Sequence, residues 1–371
     1  MNNVMNDDKP RVILGEYKIT QVCIGKRNDK NPNVCTFKNL PSKSTVLDEK
    51  WDINKFKDKF RVVLVRLEDN EMEFDLLGIH PFLANTFRRL MLSDVPTMAI
   101  EKVYVFNNTS VIQDEVLAHR LGLIPLKADP RLFEMKTDRK LNVSFSFFNF
   151  NLNNIVASTE SSEQDSLEFT LKIKCTNNKD SNKDSLRAED MYKNNNVYSK
   201  HIKWTPIGNQ KERLHDDVGP IHDDILIAKM RPGHELDLKL IAVKGTGRDH
   251  AKFSPVATAF YRLLPDIKLL SEVEGEAAVR LQKCFSPGVI SIRHEKGRKY
   301  AVVDNARYDT SSRNVFKYED LKDAVVMSKV QDHFIFTIES VGALKPDVIF
   351  TEAVKVLRDK CLSLLEELSH D

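Results

Sequence analysis

The segment from Gly78 to Leu126 constrains this chain more than any other, because it joins two short helices with little slack between them. In GIHPFLANTFRRLMLSDVPTMAIEKV, Pro81 stands where a helix can begin, since a missing N–H costs nothing in the first turn. Phe82, Leu83, Phe87, Leu90 and Met91 then recur at three- and four-residue steps, and Pro96 forbids much continuation. DEVLAHRLGLIPL repeats the pattern. Asp114 is placed to cap, Val116, Leu117 and Leu121 form a stripe, Gly122 fits the position just past a helix end, and Pro125 follows. Arg88 and Arg89 lie inside the first helix, beside its apolar stripe. The pair reads either as a solvated basic face or as part of an interface helix, because Arg is enriched at protein interfaces where Lys is depleted.

The C-terminal region carries the second informative pattern. Pro346 opens a long helix with Asp347 in its first turn, where a carboxylate suits the helix dipole. Phe350, Val354, Leu357, Cys361, Leu364 and Leu368 recur at alternating steps of four and three, a heptad-like seam. Ile349, Ala353, Val356 and Leu365 add a second apolar row, wider than one side of a monomeric sheet requires. Pattern alone leaves two readings open: a helix packed inside its own domain, or one shared with a partner.

Elsewhere the chain reads mainly as strand. Arg61 to Leu67 and Glu73 to Leu77 are strands separated by the turn-prone Asp69-Asn70. Phe334, Phe336 and Ile338 alternate in a half-buried strand that Gly342 breaks. Between Ile100 and Met327 the alternation of Val143, Phe145 and Phe147, and of Leu167, Phe169, Leu171 and Ile173, marks a β-rich insert. Ile225 to Met230 and Glu235 to Val243 read as a hairpin across Arg231–His234. Residues Met1 to about Asp58 are polar and irregular, an extended arm, and TNNKDSNKDS is expected to be a mobile surface loop.

Composition excludes several function classes. Lys+Arg 56 against Asp+Glu 54 gives a net charge of +2, so no strong field draws the chain onto nucleic acid. No apolar run reaches the roughly eighteen residues a membrane helix needs, and MNNVMNDDKPRV has no hydrophobic core of a signal peptide. Cys23, Cys35, Cys175, Cys284 and Cys361 form no CxxC pair, which suits free thiols in a reducing compartment and argues against a zinc ribbon. His215-Asp216-Asp217 and His222-Asp223-Asp224 offer metal-ligand types, but Gly219-Pro220 splits them and no third ligand set stands nearby. Gly245-Thr246-Gly247 is a lone GxG, better read as part of a basic connection with Lys244, Arg248, His250 and Lys252 than as a nucleotide loop. No GxSxG, HExxH or Walker lysine appears, nor a DxDxD-like aspartate run of the kind that holds catalytic magnesium ions. No catalytic, cofactor-binding or metal-ligating residue is therefore expected.

The run ANTFRRLMLSDVPTMAIEKV (Ala84 to Val103) with AHRLGLIPL, then HDDILIAKMRPG, GRDHAKFSPVATAFYRLLP and NARYDTSSRNVFKYEDLKDAV, resembles the eukaryotic alpha-like subunits of DNA-directed RNA polymerase. The likeness is strongest to the larger alpha-like type shared by polymerases I and III, and covers the chain from Arg61 onward apart from a polar stretch near Asn177 to Ser199. It implies an α+β fold with a discontinuous dimerisation domain (residues 59–100 and 328–371, a sheet plus two helices), a mainly-β insert (101–265) and a degenerate ferredoxin-like segment (266–327). LQKCFSPGVISI is similar to half of a ferredoxin-like module that holds an iron–sulfur cluster in some archaeal relatives, yet Cys284 stands alone where a cluster wants four thiolates. The zinc-binding cysteine set usual in the polymerase II counterpart is also missing, which favours the I/III branch.

The resemblance further implies that the two helices pack against a smaller alpha-like subunit. The interface residues would be Phe82, Phe87, Arg88, Arg89, Leu90 and Met91 with Phe350, Val354, Leu357, Cys361, Leu364 and Leu368. It implies a non-catalytic platform in the nucleus, nucleolus and nucleoplasm alike, for the largest and second-largest subunits and small zinc-bearing subunits, serving rRNA, 5S rRNA and tRNA synthesis. DNA would be met only through the complex. The alternatives are the polymerase II alpha-like subunit and, remotely, a stand-alone enzyme using the Gly245 loop or the His/Asp triplets.

Overall fold

The computed structural model describes residues 12–14, 19–21, 52–136, 162–178, 191–214, 218–295 and 297–370. In chain order the principal elements are α1 (Ile53–Lys59), β1 (Arg61–Glu68), β2 (Glu71–Leu77), α2 (Pro81–Ser93), β3 (Thr97–Asn108) and α3 (Asp114–Gly122). These are followed by β4 (Ser166–Lys174), β5 (Lys203–Thr205), β6 (Glu235–Gly245), β7 (Val256–Leu269) and α4 (Gly275–Cys284). β8 (Ile290–Glu295), β9 (Arg298–Val303), β10 (Val325–Ser340) and α5 (Pro346–His370) complete the set. The architecture is α+β, and the chain divides into two compact units. One comprises residues 1–61, 77–79 and 263–333; the other comprises 62–76, 80–262 and 334–371. The two helices of the expected pairing face and the β-rich insert therefore fall in the same unit.

The larger unit is organised around two sheets. One has the order β7-β10-β2-β1, so strands far apart in sequence close on the N-terminal hairpin. Its inward residues Phe74, Leu76, Phe334, Phe336 and Ile338 are buried, and Tyr261 packs its ring on both Phe334 and Phe336. Ile335 is buried too, so this part of β10 is covered on both faces rather than half-buried as the alternation predicted. Gly342 does end the run, in the left-handed region at φ +107°.

The insert's sheet has the order β5-β4-β6-β3. Leu167, Phe169, Leu171 and Ile173 of β4 all face one core with Leu236, Leu238 and Leu240 of β6 and with Leu117 and Leu121 of α3. The predicted hairpin between Ile225–Met230 and Glu235–Val243 does not form as a strand pair. Leu226–Lys229 pairs with Asn196–Tyr198, because both edges of β6 are taken by β3 and β4. The tight turn itself is present, with His234 N–H on the Arg231 carbonyl and Gly233 at φ +92°. α3 also departs from expectation at its ends and on its surface. Gln113 is its N-cap, with Asp114 in the first turn; Gly122 is its last helical residue and lies close to the Ile100 carbonyl; Val116 is exposed.

In the smaller unit, α4 packs on the β8–β9 hairpin. Ala278, Leu281, Cys284, Val289, Ile290, Ala301, Val315 and Leu321 form its core. The expected N-terminal arm contains two structured pieces, an antiparallel pair Val12–Leu14 with Ile19–Gln21 and the helix α1, whose cap Asp52 accepts from Asn54 N–H at 2.9 Å. The Val143–Phe147 alternation, most of the TNNKDSNKDS tract, His215-Asp216-Asp217, Cys23 and Cys35 lie outside the described residues.

Candidate functional site: the paired face of α2 and α5

α2 starts at Pro81 behind His80, whose imidazole nitrogen accepts from Phe82 N–H at 3.5 Å; burial pulls the pKa of this histidine down, favouring the neutral ring that can accept. The helix stops at Ser93, before Pro96. Its inner side, Ala84, Leu90 and Met91, is buried within this chain. α5 lies against it, and its first turns contribute Ile349 and Ala353 to the same interior. Phe350 sits between the two layers, its ring 4.8 Å from Phe74 of β2 and 5.5 Å from Phe87 of α2.

These contacts revise the expected interface. Leu90 and Met91 are core residues of this unit and have no surface left for another chain. Phe87 and Phe350 pack on each other, Phe350 also on Phe74, and both are only partly exposed. What remains apolar and uncovered is Phe82 at the head of α2, with Val354, Leu364 and Leu368 along α5, Leu357 half-buried and Cys361 exposed. Leu362 and Leu365 extend this strip. The row Ile349–Ala353 is the one that anchors α5, whereas the heptad-like row turns outward beyond it. The seam therefore changes role along its length: it is intramolecular at Phe350 and unpartnered by Leu368, which is 73% exposed.

The two arginines do different things. Arg88 is half-buried and folds its fork back on its own helix, with Nε at 3.1 Å and Nη2 at 2.9 Å from Asn85 Oδ1. Arg89 is exposed; its carbonyl accepts from Ser93 Oγ at 2.8 Å, and among the described residues its guanidinium has no hydrogen bond or ion pair. About 100° of helical rotation separates them.

The Gly245-Thr246-Gly247 loop turns out to be mechanical. Gly247 presses on the end of α2, where a Cβ would run into the Leu92 carbonyl oxygen. Arg248 donates its backbone N–H to Ser93 O at 3.0 Å and its Nε to Asp94 Oδ1 at 2.9 Å. Lys252 reaches the Ile100 carbonyl at 2.9 Å and Glu101 at 2.5 Å. Arg248 and Lys252 are thus spent on holding α2 and β3, while Lys244 donates to the Phe133 carbonyl at 2.9 Å and His250 Nδ1 accepts from Lys252 N–H at 3.1 Å. His222, Asp223 and Asp224 lie on an exposed turn, and among the described residues no group of three or more His, Cys, Asp or Glu side chains is placed to hold a metal ion. Cys175 and Cys284 are buried thiols whose pKa burial pushes up. Also among the described residues, no helix is long and apolar enough to cross a membrane.

Residues 73–361, from β2 well into α5, match the model of the RNA polymerase Rpb3/Rpb11 dimerisation domain. The chain belongs to this family of polymerase subunits. A relative in Mus musculus, DNA-directed RNA polymerases I and III subunit RPAC1, is 48% identical over 361 residues, 97% of this chain and 95% of that protein. The Saccharomyces cerevisiae protein of the same name is 44% identical over 326 residues, covering 88% and 92% of the two chains. DNA-directed RNA polymerase II subunit rpb3 of Dictyostelium discoideum is 29% identical over 315 residues, 82% of this chain and 94% of its own. The alpha-like match thus reaches further towards the N-terminus than Arg61, the limit that motif reading placed on it.

Proposed function

We infer that this chain is the larger alpha-like subunit of RNA polymerases I and III. It carries no nucleotidyl-transfer chemistry of its own and serves as an assembly platform. The observation that carries this reading is the divided character of α5: its first turns are buried in this chain, while Val354, Cys361, Leu364 and Leu368 of its apolar row are exposed. An exposed apolar stripe of this kind marks a protein interface. The greater identity to the I/III subunits than to the polymerase II subunit favours that branch. The partner seated on this stripe is the smaller alpha-like subunit, and the strip would be Phe82, Val354, Leu357, Cys361, Leu364 and Leu368, with the open edges of Phe87 and Phe350.

Within the proposed platform, residues 59–100 and 328–371 form the pairing domain, 101–265 the insert and 266–327 a cluster-free ferredoxin-like segment. The largest and second-largest subunits and small zinc-bearing subunits assemble on the heterodimer, in nucleolus and nucleoplasm. Leu364→Asp tests the seam without touching this chain's own core, since Leu364 is 49% exposed. A carboxylate there would be buried unpaired against the partner, at a cost of several kcal/mol. Affinity purification of the tagged variant should recover no smaller alpha-like subunit, and the associated proteins of the wild type, read by mass spectrometry, should be those of polymerases I and III. Normal recovery of the partner by the variant would remove the seam.

A further inference from the structure

The outer half of α5 has almost nothing of its own chain to lean on. From Arg358 to Ser369 every residue is exposed, about three turns and roughly 18 Å of helix at 1.5 Å per residue. A helix held at one end only frays towards the other, so this half draws its order from the anchored turns before it and from whatever else it touches. Among the described residues, a single side-chain bond ties this half to another element: Lys360 Nζ donates to Asp94 Oδ2.

Asp94 is not an ordinary surface acceptor. Its side chain is 6% exposed, and it caps the C-terminus of α2, its own N–H on the Leu90 carbonyl at 2.9 Å. Its Oδ1 takes Arg248 Nε and Ser93 Oγ, each at 2.9 Å. Arg248 in turn is locked by its backbone bond to Ser93 and by the close seat of Gly247 on Leu92. The carboxylate is therefore fixed from the loop side before Lys360 reaches it.

We infer that Asp94 and Lys360 are positioning residues that set the direction of the outer half of α5 relative to α2 before any partner arrives. The inference rests on the heterodimer reading above and deepens it: the partner meets a helix already aimed, so less ordering remains to be done on association. Arg248 still pairs with Asp94 when Lys360 is lost, so removing Lys360 disturbs positioning without leaving a buried charge alone.

The test uses the full-length chain with three substitutions. Amide exchange of residues 358–369 in the chain without partner should accelerate in Lys360→Gln and remain as in wild type in Lys360→Arg. When Lys360→Gln and wild type compete in one cell for limiting smaller alpha-like subunit, the variant should capture about two- to fivefold less, the scale of one partly exposed ion pair. Unchanged exchange in Lys360→Gln overturns the inference, and so does reduced capture with unchanged exchange, which would make Lys360 a direct contact. Leu364→Asp, run alongside, separates the two levels. If it blocks pairing while Lys360→Gln behaves as wild type, only the positioning role fails; if it pairs normally, the heterodimer reading fails with it.

Discussion

The rings of Phe74 and Phe350 meet with centroids 4.8 Å apart and planes inclined at 58°, joining the first sheet hairpin of the larger unit to its last helix. That contact divides α5 into a part that stabilises this chain and a part that does not. Phe350→Ala should therefore unfold the protein more easily, by about 3 kcal/mol, the lower end for an aromatic truncated in a core. Leu368→Ala should leave stability within about 0.5 kcal/mol, as for surface changes away from the core, while weakening the heterodimer. Urea unfolding of each variant, set beside recovery of the smaller alpha-like subunit, checks both. Equal stability losses in the two would contradict the division.

Arg88 and Arg89 should separate by substitution. Arg88, half-buried with its fork on Asn85, lies at the margin of the pairing stripe, and Arg88→Ala should weaken the heterodimer. Arg89 is exposed, and Arg89→Ala should spare the heterodimer but reduce recruitment of the second-largest subunit. Each loss should be on the order of 1–3 kcal/mol, as for charged interface groups. Stepwise reconstitution distinguishes the two steps; no effect of either substitution on either step would reduce the pair to a solvated face.

Gly247→Ala tests the loop that holds α2. Its methyl group would meet the Leu92 carbonyl oxygen, a backbone atom that cannot rotate away. The loop has to lift, taking with it the Arg248 bond to Ser93, at a cost of about 1–3 kcal/mol for overpacking. Differential scanning calorimetry of the heterodimer should show a lowered midpoint. Unchanged stability together with an altered nucleotide affinity would restore the GxG loop as a ligand site.

Metal should not be needed. Structural zinc sites close four positions, and among the described residues no group of three or more His, Cys, Asp or Glu side chains is placed to hold a metal. Elemental analysis of the purified heterodimer should assign no stoichiometric zinc or iron to this subunit, and chelation should not shift its unfolding midpoint. One metal per heterodimer, lost on substituting Cys175 or Cys284, would refute this.

The local grammar of this chain was readable without coordinates. The Asp69-Asn70 turn, the start of α2 at Pro81 and its end before Pro96, the inward row of β4 and the opening of α5 at Pro346 all depend on neighbours within a few residues. Proline geometry and the two side-chain periods express themselves at that range. The family itself was legible for the same reason, in uninterrupted motifs.

Three matters needed the tertiary structure. Periodicity places Leu90 and Phe82 in one stripe, but only the packing of the folded unit decides that Leu90 is sealed and Phe82 is open. Alternation marks Leu226–Lys229 as a strand, yet its partner is chosen by which sheet edges are free, a property of residues scattered over the whole insert. Asp94 and Lys360, 266 positions apart, carry no pattern that links them. Sequence spacing reports which face of an element a residue occupies; what covers that face depends on long-range packing, and packing decided which part of α5 is sealed within this chain and which part is open.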